Sequence, residues 1–193
     1  MAKDRTDAAA LKIERELQEL DSAAWSALTE KAKGVVHKID AHGYHKQLFE
    51  LLNEAKGYVW LKRKGYEAIE FLRESKHGQQ TPDFSAWSSG RQILMEVKTV
   101  NESVSQKKYF ESPRETREAV ESEYTVSDSF KAEILRAIDT ARGQLLGYAA
   151  PLVERRLIYL VVRPDFNFHG DEELLSLVRA QSQGGVQVIL HIL

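Results

Sequence analysis

Apolar residues at Ile13, Leu17, Leu20, Ala24 and Leu28 recur at intervals of three and four within residues 8–36. That spacing predicts an amphipathic helix, with a break expected at Asp21-Ser22. A second stripe, Leu48, Leu51, Leu52, Ala55 and Val59, predicts a helix over residues 45–63 that stops near Gly65. The period then shortens. Residues 66–72, 83–87 and 92–100 read as three extended segments, with Ser88-Ser89-Gly90 as the turn of a hairpin between the last two. Three consecutive antiparallel strands are the simplest arrangement of that order.

Residues 101–128 are polar, with four basic side chains against seven acidic ones, and read as a long loop or partly helical excursion. Periodicity resumes at Phe130, Ile134, Ile138 and Leu145, on a helix capped within residues 127–129 and closed before Pro151. The run Leu157 to Val162 is continuously apolar, as in a strand covered on both faces. A short helix at 171–180, a turn at Gly184-Gly185 and a last strand from Val186 complete the order. The fold class that follows is α/β: a mixed β-sheet of about five strands flanked by helices. We divide the chain into an N-terminal helical extension, residues 1–40, and a main domain, residues 41–193.

Composition removes several chemistries. The chain has 193 residues, 27 Lys and Arg against 29 Asp and Glu, a formal charge of −2 and no cysteine. Disulfide scaffolds, zinc ribbons, iron–sulfur clusters and thiol nucleophiles are excluded. A nearly balanced charge also argues against coating nucleic acid through bulk positive potential, so any such contact rests on a local patch or a bound metal. No apolar run approaches the ~20 residues of a membrane span, and the N-terminus lacks the apolar stretch of a signal peptide. A cytoplasmic protein with no membrane partner is expected.

The candidate chemistry sits in the central hairpin. Pro82-Asp83 enters one strand, and Glu96-Val97-Lys98 lies near the end of the next. Alternation along a strand puts Glu96 and Lys98 on one face, and hairpin pairing brings Asp83 beside Glu96. Two neighbouring carboxylates repel, and a divalent cation relieves that repulsion. Oxygen-only ligands suit Mg²⁺ or Mn²⁺ better than zinc. A lysine two residues from a ligand is placed to orient water or to stabilise charge growing on a phosphate.

Helix, three antiparallel strands, helix and strand, with Pro82-Asp83 and Glu96-Val97-Lys98 on the second and third strands, resembles the PD-(D/E)XK nuclease superfamily over roughly residues 45–163. The resemblance implies a restriction-endonuclease-like fold and a Mg²⁺-dependent deoxyribonuclease. It implies Asp83, Glu96 and the Val97 carbonyl as metal ligands, and Lys98 as the catalytic lysine. Members also supply a glutamate from the first core helix. Glu54, at the edge of the apolar stripe, is the choice here, with Glu50 as the fallback. Gln144 through Tyr148 resembles the Gln-h-x-x-Tyr motif of RecB-like nucleases, and Thr99 after the lysine fits their pattern. That similarity implies a catalytic role for Gln144 and a substrate contact for Tyr148. Glu96 departs from the aspartate common in that group.

Lys62, Lys64, Lys107 and Lys108 are candidates for phosphate contacts to DNA. The alternative to a nuclease is a catalytically inactive nuclease-like module that binds nucleic acid or a protein partner. Under either reading, the stripe of residues 8–36 suits a homodimer or docking into a larger complex.

Overall fold

A computed structural model describes residues 14–39, 46–72, 80–101, 126–150, 152–163 and 171–193. Lys107, Lys108 and most of the expected polar loop lie outside those residues. The elements are α1 (Ser22–Val35), α2 (Lys46–Arg63), β1 (Glu67–Phe71), β2 (Phe84–Ser88), β3 (Arg91–Asn101), α3 (Asp128–Gly147), β4 (Val153–Arg163), α4 (Asp171–Ala180) and β5 (Val186–Ile192). They form a five-stranded mixed sheet in the order β1-β2-β3-β4-β5. β1, β2 and β3 pair antiparallel. β3, β4 and β5 pair parallel.

Side-chain alternation divides the sheet into two faces. Leu94, Val100, Ile158, Leu160 and Val162 pack beneath α3 and α4 with Phe130, Ile134, Ile138, Leu174 and Val178. Ile93, Met95, Val97, Leu157, Tyr159 and Val161 face the other way, against Tyr58 and Leu61 of α2. β4 is thus covered on both sides, and this is why its sequence shows no alternation. α2 comes close to β3 at Gly57, where an added Cβ would stand 2.9 Å from Val97 Cγ2 and 3.0 Å from the Met95 methyl.

The break at Asp21 starts a new helix. The Ala24 N–H donates to Asp21 Oδ1 (2.8 Å), capping α1, and the Tyr58 hydroxyl donates to Asp21 Oδ2 (2.6 Å), tying α1 to α2. Leu28 packs with Leu51 and Ala55. Leu17, Leu20, Ala24 and Leu28 of the expected stripe pack within the chain itself, and Ile13 lies outside the described residues. No helix among the described residues is long and apolar enough to cross a membrane.

Candidate active site

The β2–β3 hairpin sets the first part of the site. Ser88 pairs with Arg91, leaving Ser89 and Gly90 as a two-residue turn with φ of 51° and 77°. Positive φ at both positions matches the twist of the flanking strands and fixes the register. Phe84 then pairs with Met95, which brings Asp83 alongside Glu96. The Val97 N–H donates to Asp83 Oδ2 (2.8 Å). Glu96 and Lys98 share the face of Leu94 and Val100, and Lys98 Nζ donates to Glu96 Oε1 (2.6 Å).

α2 adds the second part. Glu54 lies one turn before Tyr58 and comes within electrostatic reach of Asp83, whereas Glu50 pairs on the surface with Lys46 (3.8 Å). One turn apart, the two share a face of α2, and it is their partners, Lys31 for Glu54 and Lys46 for Glu50, that separate them. Asn53, buried beside Glu54, donates from Nδ2 to Thr99 Oγ1 (2.9 Å) and links the helix to β3.

These carboxyls are destabilised as anions. Burial, reinforced by the charge of Asp83, pushes Glu54 up to about 7 and Glu96 up to about 7. Burial also pushes Asp83 up, opposed by the Val97 N–H and the charges of Lys31 and Lys98. Glu96 is 3% exposed, and its Oε2 is buried without a hydrogen-bond partner. A buried, unpaired carboxylate oxygen beside a second carboxylate suits a hard cation. Among the described residues, however, no group of three or more His, Asp or Glu is arranged to hold a metal ion. Two ammonium groups, Lys98 on Glu96 and Lys31 on Glu54, take the charge instead.

Lys31 comes from α1 and was not legible as a site residue. Its signal is a lysine three residues after Leu28 and seven after Ala24, on the stripe whose other members are buried.

Among the described residues, the remaining expected ones make no hydrogen bond or ion pair to these carboxyls. Arg156 donates from Nε to the Leu145 carbonyl (3.1 Å) and pairs across the sheet with Leu94, tying the end of α3 to the sheet. Lys98 donates to Glu96 and makes no hydrogen bond to the Gln144 side-chain oxygen. The Gln144 side-chain oxygen is buried without a partner, and Tyr148 packs at the edge of the core under α3. Lys62 and Lys64 follow Glu54 toward the far end of α2. Lys62 donates to the Glu19 carbonyl (2.6 Å), and the Lys64 ammonium sits 5.9 Å from the centre of the Trp60 ring.

No family model matches the chain, and neither the curated proteins nor the solved structures yield a match.

Proposed function

We propose that the chain is a metal-dependent deoxyribonuclease of the PD-(D/E)XK type with a restriction-endonuclease-like core. The observation that carries this reading is the meeting of Asp83, Glu96 and Lys98 on adjacent strands, with a buried Glu96 oxygen that no protein group satisfies. Asp83, Glu96 and the Val97 carbonyl are the residues that would hold Mg²⁺ or Mn²⁺, with Glu54 behind them. A cation so held supplies Lewis acidity and charge neutralisation at the scissile phosphate. Lys98, one quarter exposed, presents its ammonium to solvent from a fixed partner. It orients the attacking water and stabilises negative charge on the phosphate oxygens as they develop it.

The test is cleavage of linear, circular, branched and single-stranded DNA with Mg²⁺ or Mn²⁺. Asp83→Asn and Lys98→Met should each lower the rate by at least about 100-fold while leaving the circular dichroism spectrum intact. Wild-type protein inert on every substrate, or variants that cut equally well, would sink the assignment.

The two ion pairs that already occupy Glu54 and Glu96 favour a second reading, a non-cutting module that binds nucleic acid or a protein. Calorimetry separates the two, because Asp83-dependent uptake of Mn²⁺ is expected only of the nuclease.

A further inference from the structure

Lys31 Nζ lies 2.6 Å from Glu54 Oε2 and 5.2 Å from the centre of the Phe71 ring. Its charge acts on both Glu54 and Asp83. The helix that carries it is held firmly: Asp21 caps α1 and binds the Tyr58 hydroxyl, and Ala24 and Leu28 are buried. Lys31 is therefore presented to the carboxylates by a packed element, with 31% of its side chain still exposed.

We propose that Lys31 is an internal counter-ion of the carboxylate group, so that helix α1 sets how tightly the site takes up a divalent cation. This rests on the nuclease reading and adds to it an element from outside the segment that resembles the nuclease core. A cation approaching Asp83 and Glu96 meets two ammonium groups. Lys98 belongs to the proposed chemistry and is needed there. Lys31 sits on the opposite flank, where its positive charge opposes a second one at short range in a partly desolvated pocket. Removing that charge while keeping the length of the side chain leaves the carboxylates more negative and their affinity for the cation higher. Seated on Glu54, the ammonium takes one carboxylate out of the ligand set. A divalent ion recruits Glu54 only as Lys31 swings toward solvent.

The experiment is a calorimetric titration of the full chain with Mn²⁺ at low salt, for wild type, Lys31→Met and Lys31→Arg, each with and without Asp83→Asn. Lys31→Met should bind Mn²⁺ at least about fivefold more tightly, and Lys31→Arg, which keeps the charge, within about twofold of wild type. Equal or weaker binding by Lys31→Met, with uptake still dependent on Asp83, overturns this inference and leaves the nuclease reading standing. Loss of Asp83-dependent uptake from every protein overturns both. If Lys31→Met does not fold, the Lys31 ε-methylene resonance of wild type is followed during Mg²⁺ addition. A shift supports the inference, and an unchanged resonance overturns it.

Discussion

Glu96 carries the sharpest conflict between folding and chemistry. Its side chain is almost fully buried, one oxygen has no partner, and Asp83 repels it from the neighbouring strand. A group held at about 7 against an ordinary 4.5 is costly to keep ionised above neutral pH. Glu96→Gln keeps the shape and removes the charge. In the presence of a chelator, it should stabilise the protein by about 1–2 kcal/mol at pH 8 and by much less at pH 5, where the native carboxyl is already protonated. Urea unfolding at the two pH values measures this. Destabilisation at pH 8 would mean that the Lys98 contact outweighs the repulsion. Under the proposed nuclease reading, DNA cleavage should be lost in the same variant, a stability gain at the expense of function that a purely structural glutamate does not show.

At the scale of elements, the site depends on how closely α2 approaches β3. Gly57 sits in the helix interior, where glycine is unfavourable by up to ~1 kcal/mol relative to alanine, so propensity alone favours Gly57→Ala. Packing decides the opposite, because the new methyl group would enter the space of Val97 Cγ2 and Met95. A net loss of about 1–3 kcal/mol is expected, read from chemical denaturation. Because Glu54 precedes Gly57 by one turn, cleavage should fall too. Stability equal to or above wild type would show that Val97 and Met95 rearrange freely. The hairpin is the contrasting element, since its register follows from the local chemistry of Ser89-Gly90.

For the whole molecule, the three raised carboxyls make stability fall with pH. Glu54 and Glu96 bind protons in the folded chain up to about 7 but only to about 4.5 when unfolded. Their stabilising contribution is therefore complete below pH 4.5 and lost as pH rises through 7. Glu19, Asp21 and Glu173 are shifted downward by their donors, so they oppose this trend only in acid. The Tm of metal-free protein should drop by roughly 5 °C between pH 5 and pH 8, and Mg²⁺ should restore more of it at pH 8. A flat or rising Tm in chelator contradicts the clustering of these carboxyls. The sequence determined what depends on neighbours along the chain. Helix stripes and strand alternation gave the elements, and the Ser89-Gly90 turn gave the register that pairs Asp83 with Glu96. Tertiary structure alone decided which elements meet. It delivered Lys31 from α1 to Glu54 across a gap of twenty-three residues, and it left Glu50, on the same face of α2, beside Lys46. Periodicity reports which face of an element is buried, but the level at which a helix crosses a sheet is set by packing between distant segments.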